Sequence, residues 1–424
     1  MTGVRLLARL LDASDAMALE QLPDIVREHA ASAGLYNVLI YLSDLQECVL
    51  RPLTGRESDA GYGEDSGTGQ LSVEGTQAGR TFQGISASFE PGPRTRWWVP
   101  LLDGAERIGV MRVDTDGPGE PLQPLMHQLA TLVTMMIVTK RAHSDSYARR
   151  VRTQPMNVAA EMQWNLMPPR AFANEYVTIS AAMEPAYEVG GDAFDYALAG
   201  GTVHLSIFDA MGHDVAAGLA ANLAVGATRN SRRHGADLIE TGRTVERILA
   251  QHLAESRYVT ALLVDLDLCT GQLSWISHGH HPPVVIRGGR RTGPRPCPPG
   301  APLGMGLDLH ATLCRDQLVP GDRLMLYTDG ITETHSPGGE EFGLDRFINF
   351  IIRHNADGMP VPETLRRLVR GILDHHGGRL QDDATVLFLE WHGPQSPEAR
   401  HPNARELLTS PPRDSRHADT SPPD

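Results

Sequence analysis

The feature that most constrains the fold of this 424-residue chain is a series of short, apolar, strand-like runs in its second half. Most of these runs are bounded by Gly, Pro or Asp, and helical periodicity appears between them. Such an order predicts an α+β domain in which two sheets are flanked by helices. The predicted strands are Val177–Met183, Val203–Asp209, Tyr258–Asp267, Gln272–Ser277, Val284–Arg287, Arg323–Tyr327 and Thr385–Trp391, and the predicted helices are Val215–His234, Thr244–Glu255, Leu344–Arg353 and Val361–His375.

Acidic clusters lie at or near the ends of these predicted strands. Taken singly, each has an ordinary explanation as a helix cap, a turn or a solvated loop. Taken together, they predict an all-oxygen site, because neighbouring carboxylates repel each other unless water or a cation neutralises them. Such sites favour Mg²⁺ or Mn²⁺, and two such ions can activate a water for phosphoryl transfer. The clusters are Gly190-Gly191-Asp192, Asp209-Ala210-Met211-Gly212-His213, Thr328-Asp329-Gly330 and Asp382-Asp383.

The motifs that contain these clusters follow one another in a recognisable order. They are "PAYEVGGDAFDY", "HLSIFDAMGHDVAAGLAA", "TGQLSWISHGHHPPVVIR", "PLGM", "LMLYTDGITETHSPGGEEFGLDRF" and "QDDATVLFLEW". Over residues 155 to 391 the chain resembles the SpoIIE/RsbU-type branch of the PPM phosphatases. The resemblance implies an αββα sandwich and a binuclear Mn or Mg site. It also implies hydrolysis of phosphoserine or phosphothreonine by a metal-activated water.

The resemblance also implies roles for individual residues. Asp192, Asp209 and Asp329 would be the catalytic metal-binding aspartates, and the carbonyl of Ala210 would be a further ligand. The last position is less clear, because two aspartates are adjacent. Asp382 aligns best with the final metal ligand and Asp383 would support it, although the two could exchange roles. The glycines of the same motifs would allow tight turns, and they are Gly190, Gly191 and Gly330.

The chain departs from the family pattern at two places. Asp214 stands where the family has a glycine, which adds a carboxylate near the predicted site. The family's Asn-Ala-Gly-His motif is replaced by Ser277-His278-Gly279-His280, which keeps the histidine at 280. We interpret the neighbouring histidines as packing residues rather than ligands, and they are His278, His281 and His335. His213 lies nearer the predicted metals, without an assigned role.

The first 140 residues order helices and strand pairs in the manner of a GAF-type sensory domain. The segment "WWVPLLDGAERIGVMRVD" resembles the closing hairpin of that family, around Asp103 and Gly104. A ligand-free α/β dimerisation module is the alternative. We therefore predict four regions: a GAF-like domain (1–140), a helical linker (141–169), the phosphatase domain (170–391) and a disordered tail (392–424). The linker helices either pair with their copies in a homodimer or pack within one chain.

Composition and cysteine content indicate the class of partner and the cellular compartment of the protein. The formal net charge of −14 disfavours nucleic-acid binding. No secretory signal or membrane-spanning run is recognisable, and the four cysteines form no CxxC pair. We therefore predict a cytoplasmic protein with reduced cysteines, of which Cys48 and Cys269 lie in a core.

The resemblance implies that the substrate is a phosphorylated STAS-type anti-sigma factor antagonist in bacterial partner switching. Two other functions remain open. One is a non-catalytic regulatory module that binds a partner and keeps a vestigial metal site. The other is a hydrolase of small phosphoesters.

Overall fold

The computed structural model describes residues 2–54, 69–117, 119–188, 190–253, 257–292, 296–307, 309, 311–332, 343–356, 359–375, 380 and 382–394. Contacts divide the chain into two compact units, Met1–Pro155 and Met156–Asp424. His335 and nearly all of the predicted tail lie outside the described residues.

The first unit is built on an antiparallel sheet with strand order β3-β2-β1-β6-β5-β4. Its elements are α1 (Thr2–Ser14), α2 (Leu22–Ala30), β1 (Tyr36–Ser43), β2 (Val49–Pro52), β3 (Leu71–Ser72), α3 (Gln77–Gly84), β4 (Ser88–Glu90), β5 (Thr95–Asp103), β6 (Glu106–Thr115), α4 (Gln123–Arg141) and α5 (Asp145–Val151).

Side chains on the two faces of this sheet pack into two different hydrophobic cores. In β1, Ile40 and Leu42 face the core that contains α1, α2 and α4, whereas Tyr41 packs with Phe82 of α3. The predicted hairpin joins β5 to β6, and Gly104 takes the left-handed conformation that its turn requires. The region predicted as a linker contains two separate helices. The first of them, α5, belongs to the first unit, because Val151 lies in the core of that unit.

The second unit contains two antiparallel sheets, ordered β15-β12-β11-β10-β9 and β14-β13-β16-β17-β8-β7. Its elements are α6 (Val158–Leu166), β7 (Ala171–Ala173), β8 (Val177–Glu184), β9 (Asp192–Ala199), β10 (Thr202–Ala210), α7 (Val215–Arg233), α8 (Leu238–His252), β11 (Val259–Asp267), β12 (Gln272–His278), β13 (Val284–Arg287), β14 (Arg290–Thr292), β15 (Cys314–Gln317), β16 (Arg323–Tyr327), α9 (Leu344–Ala356), α10 (Val361–His375) and β17 (Ala384–Trp391).

These elements form an α/β/β/α sandwich, as the sequence predicts. In β17, Leu387 and Leu389 share a core with the first sheet, whereas Val386 and Phe388 face α9 and α10. The same alternation in β16 sends Leu324 to the inter-sheet core. The helices α7 and α8 cover the outer side of the first sheet.

Some local expectations are corrected by the structure. The strand β9 is missing from the predicted set, and α8 begins at Leu238, six positions before the predicted Thr244, because the Asp237 side chain caps it. Cys48 and Cys269 are exposed rather than buried. Cys297 and Cys314, predicted to be reduced, form a disulfide that ties the 297 loop to β15.

In the part of the chain that the structure describes, no helix combines the length and apolar character needed to cross a membrane.

We predict that Leu324→Ala destabilises the protein by about 2–5 kcal/mol, because it leaves a cavity between the two sheets. Leu219→Ala removes the same atoms from an exposed position in α7 and should change the free energy of unfolding by less than about 1 kcal/mol. Urea unfolding of the full chain measures both. Equal effects would contradict the assignment of Leu324 to the inter-sheet core.

Candidate metal centre

Two neighbouring strands of the first sheet bring a pair of aspartates face to face. Asp192 is the first residue of β9, and in the antiparallel ladder it stands opposite Asp209 of β10. Like charges directly opposite each other destabilise a sheet. This pairing is therefore unfavourable by itself and indicates that another group, when present, compensates for it.

The second sheet contributes the remaining carboxylates. Asp329 opens a short 3₁₀ turn directly after β16, and Asp382 and Asp383 directly precede β17, which pairs with β16. Thr328 joins this sheet to the first one. Its hydroxyl donates to Asp192 Oδ2 at 2.7 Å and accepts the Thr385 N–H at 2.8 Å. The edges of both sheets thus meet at one cluster of carboxylates.

Asp382 and Asp383 differ in their surroundings. Asp383 is buried, and its Oδ2 accepts the backbone N–H groups of Gly190, Gly191 and Asp192 at 2.8, 2.6 and 3.2 Å. Asp382 is exposed, and its Oδ1 accepts the Asp383 N–H at 2.9 Å. This geometry favours Asp382 as the residue open to a ligand and Asp383 as the residue that holds the 190–192 segment.

The glycines of these motifs allow close backbone approach. A Cβ on Gly191 would lie 2.4 Å from the Ala210 carbonyl oxygen, and one on Gly190 would lie 2.4 Å from that of His213. A Cβ on Gly330 would overlap the carbonyl of Asp383. None of the three has a positive φ, and Gly330 lies within the 3₁₀ turn Asp329–Ile331.

The carboxylates raise each other's pKa. Burial, followed by the charges of Asp329, Asp382 and Asp383, raises the pKa of Asp209 to about 7. Burial, followed by Asp209 and Asp383, raises the pKa of Asp192 well above its usual range. Burial also raises the pKa of Asp329 and of Asp383. None of these carboxylates has an ion-pair partner among the described residues.

The chemistry of this donor set fits a divalent cation. Several carboxylates share a partly buried space without a Lys or Arg ion-pair partner among the described residues, and hard cations such as Mg²⁺ and Mn²⁺ prefer oxygen ligands. Within the described ranges, no three His, Cys, Asp or Glu side chains are arranged as a completed metal site. Binding would therefore require side-chain rotation, for which the exposed Asp382 has room.

The other predicted site residues differ in their positions. Ala210 is buried, and its N–H donates to the Gly191 carbonyl. His213 is exposed. His280 is buried between Thr260 and the Tyr327 carbonyl, a packing role. His281 stacks on the Tyr327 ring, and its charge lowers the pKa of Asp329, an influence that the packing interpretation missed.

The negative charge of Asp214, which replaces the family glycine, is balanced by a neighbouring arginine. Its carboxylate caps α7 through the Ala217 N–H and receives two hydrogen bonds from Arg257, at 2.8 and 2.6 Å. The hydrogen bonds from Arg257, followed by that from Ala217, lower the pKa of Asp214 to about 2. Asp214 therefore caps α7 and forms an ion pair with Arg257, and it does not add a free carboxylate to the cluster.

Sequence reasoning missed two supporting residues. Gln163 of α6 donates to the carbonyls of Gly190 and Asp192, which ties that helix to the 190–192 segment. Thr328 bridges the two sheets, as described above. Its position directly before Asp329 in "TDG" was the available signal, whereas nothing in the sequence around Gln163 indicated its contact.

We predict that substitutions of the two adjacent aspartates, Asp382 and Asp383, have different effects. Asp382→Ala should weaken Mn²⁺ binding at least about 10-fold with little loss of stability, because its side chain is exposed. Asp383→Ala should destabilise the protein by about 3 kcal/mol, because three buried N–H groups lose their acceptor. Calorimetric titration and urea unfolding measure the two effects. The reverse pattern would exchange their roles.

We predict that His280 makes stability depend on pH. Burial, followed by the His281 ring, lowers the pKa of His280 to about 3, so the folded protein keeps this ring neutral. In the unfolded chain this histidine takes up a proton near pH 6.5. The contribution of His280 to the free energy of unfolding is therefore fully present above that pH, and it is lost as the pH falls towards 3. The loss between pH 6.5 and 4 should be on the order of 3 kcal/mol, and His280→Gln should reduce it. An unchanged slope in the variant would contradict this assignment.

Comparison with known proteins adds an independent observation. Residues 199–392 match the family model described as stage II sporulation protein E (SpoIIE). The phosphoserine phosphatase RsbU of Bacillus subtilis (strain 168) is 22% identical over 273 residues, which cover 63% of this chain and 80% of that protein. Protein IcfG of Synechocystis sp. is 29% identical over 145 residues, which cover 34% of this chain and 22% of that protein.

Solved structures are also similar to about half of the chain. The PP2C phosphatase domain of SpoIIE from Bacillus subtilis, with a fragment of its regulatory domain, has a TM-score of 0.45 and 22% identity. That comparison covers 52% of this chain and 65% of the other. The SiaA-PP2C domain of Pseudomonas aeruginosa has a TM-score of 0.44 and 22% identity, covering 50% of this chain and 85% of the other.

The family match spans Asp209, Asp329 and the Asp382-Asp383 pair and begins just after Asp192. The residues of the candidate metal centre thus lie within or directly beside the matched segment. Residues 199–392 of this chain are thus similar to the SpoIIE family, and this similarity covers most of the candidate metal centre.

Proposed function

We propose that the second unit is a metal-dependent protein serine/threonine phosphatase. The observation that carries this proposal is the cluster of Asp192, Asp209, Asp329 and Asp382, whose repulsion is not balanced by any Lys or Arg in the described ranges. The match of residues 199–392 to the SpoIIE family model supports it, as does the similarity to RsbU, which is named a phosphoserine phosphatase.

The residues of the cluster would have either metal-binding or positioning roles. The four aspartates and the Ala210 carbonyl would hold two Mn²⁺ or Mg²⁺ ions. When bound, the ions would supply an activated water and positive charge for the phosphoryl group. Asp383 would hold the 190–192 segment through its three N–H donors, and Thr328 would orient Asp192. No Ser or Cys nucleophile is required.

We propose a phosphorylated STAS-type anti-sigma factor antagonist as the substrate, in partner switching in the cytoplasm. This part of the proposal depends on the likeness to RsbU and on the implications of the motifs. The first unit would be a GAF-like sensory domain, and the chain would form a homodimer through residues 141–169.

The alternative is a non-catalytic partner-binding module with a vestigial metal site. Such a module has no need of four mutually repelling carboxylates. Loss of any one of them would relieve the repulsion without cost to the partner interaction. Their joint presence therefore favours the phosphatase.

We predict that the full chain hydrolyses p-nitrophenyl phosphate in the presence of Mn²⁺. Asp329→Asn should lower kcat/KM by more than about 100-fold, because a ligand to the ions is lost. Asp237→Asn is the matched control. It makes the same chemical change at the cap of α8, where Asn serves as well as Asp, and should keep full activity.

Two results would contradict the proposal. One is Mn²⁺-independent hydrolysis that survives Asp329→Asn. The other is an absence of turnover on both p-nitrophenyl phosphate and phosphoserine peptides while Mn²⁺ binds, which would favour the non-catalytic module.

A further inference from the structure

Two cysteines of the second unit are joined by a disulfide at the surface. Cys297 follows β14, and Cys314 begins β15, the edge strand of the first sheet. The bond spans a sequence separation of 17, and the two Cα atoms lie 6.1 Å apart, a usual distance for a disulfide. Both residues are partly exposed, and exchange with a thiol in solution requires such access.

The disulfide closes the base of the 297–314 segment, which packs against residues 277–280 at the end of β12. The Gly300 N–H donates to the Ser277 carbonyl at 2.8 Å, and the Gly279 N–H donates to the Gly300 carbonyl at 2.9 Å. A Cβ on Gly279 would lie 2.8 Å from Pro302 Cγ. The two segments are therefore in close contact next to the disulfide.

Other contacts of the 297–314 segment are non-covalent. Its two limbs meet near the base, where a Cβ on Gly300 would lie 3.3 Å from Ala311 Cα. Its middle is fixed to α8, because the Glu246 carboxylate accepts the N–H groups of Gly304 and Gly306. The disulfide thus adds a covalent bond to a segment that is otherwise held by hydrogen bonds and packing.

The 277–280 segment is connected in turn to the candidate metal centre. Ser277 Oγ donates to the His280 carbonyl at 2.8 Å, and His280 Nε2 lies 3.0 Å from the Tyr327 carbonyl oxygen. Asp329 follows two residues after Tyr327. Through these contacts, the segment that the disulfide closes supports the backbone that carries Asp329.

The bond can be broken by thiol–disulfide exchange. In the cytoplasm, where the proposed function places this chain, disulfides are usually transient and redox-sensing. One glutathione thiolate attacks a sulfur of the pair, the S–S bond breaks and a mixed disulfide forms, which a second glutathione resolves. The products are two cysteine thiols and one molecule of oxidised glutathione, so two electrons and two protons pass to the pair. Oxidised glutathione reverses the reaction.

We propose that Cys297–Cys314 is a redox-sensitive clasp on the metal centre. The disulfide fixes the 297–314 segment against residues 277–280, and its reduction loosens both segments and weakens metal binding. The effect on Mn²⁺ rests on the proposed function, whereas the clasp itself does not.

The test uses the full chain with Cys48→Ser and Cys269→Ser, two exposed positions, so that redox treatment acts on the pair alone. The metal-free protein is equilibrated with oxidised or with reduced glutathione, and alkylation followed by mass spectrometry counts its thiols. We expect none in the first case and two in the second. Amide hydrogen exchange, followed by NMR, should show protection at Gly279 and Gly300 falling at least about 10-fold on reduction.

Calorimetric titration with Mn²⁺ under nitrogen, after glutathione has been removed, measures the link to the metal centre. Reduction should raise the Kd for Mn²⁺ at least about three-fold, a usual size for coupling through a packed network. Cys297→Ser combined with Cys314→Ser in the same background is the matched control. It should behave as the reduced form after both treatments.

Four results would overturn the proposal. Two thiols that persist in oxidised glutathione would mean that the pair does not form, and a bond that survives reduced glutathione would be a permanent cross-link. Equal protection at Gly279 and Gly300 in both forms would mean that the disulfide does not hold these segments. Equal Kd values for Mn²⁺ would separate the disulfide from the metal centre.

A failure of the proposed function gives a different result. A chain that binds no Mn²⁺ in either form would contradict the metal centre and its regulation together. The exchange measurement on metal-free protein would still show whether the disulfide holds residues 277–280.

Discussion

The central physical constraint on the second unit is the electrostatic repulsion between carboxylates that its fold brings together. Antiparallel pairing of β9 with β10 puts Asp192 opposite Asp209, and the second sheet adds Asp329 and the Asp382-Asp383 pair. Burial and mutual repulsion raise the pKa of Asp209 to about 7. A fold that accumulates negative charge in this way gives up stability, which is typical of sites built for a charged ligand.

The surrounding residues hold the carboxylates in spite of that repulsion. Asp383 collects three backbone N–H groups from 190–192, Thr328 bridges the sheets, and Gln163 fastens α6 to the same segment. The glycines allow the backbone segments to approach closely, and no side chain could be added to them without moving a carbonyl. The segment before β9 is thus fixed from three directions, while Asp382 stays open to solvent.

Much of this arrangement could be predicted from the sequence. Apolar alternation identified most strands, and β13, β16 and α10 have the predicted bounds. The sequence could not indicate β9, because "DAFDYALA" lacks the β-branched residues typical of a strand and owes its place to pairing with β10. The packing of Gln163 depends on residues far apart in the chain. No local pattern records such contacts, and the same is true of the Cys297–Cys314 pair.

The most direct test of this account is the stability of Asp209→Asn at pH 8, with and without Mn²⁺. At that pH Asp209 is ionised and its repulsion is greatest, because its pKa is about 7. Without metal, the variant should be more stable than the unmodified chain by on the order of 1–3 kcal/mol. Millimolar Mn²⁺ should then stabilise only the unmodified chain. A variant that is less stable without metal, or a parent chain that does not respond to Mn²⁺, would contradict the claim that these carboxylates are held for a cation.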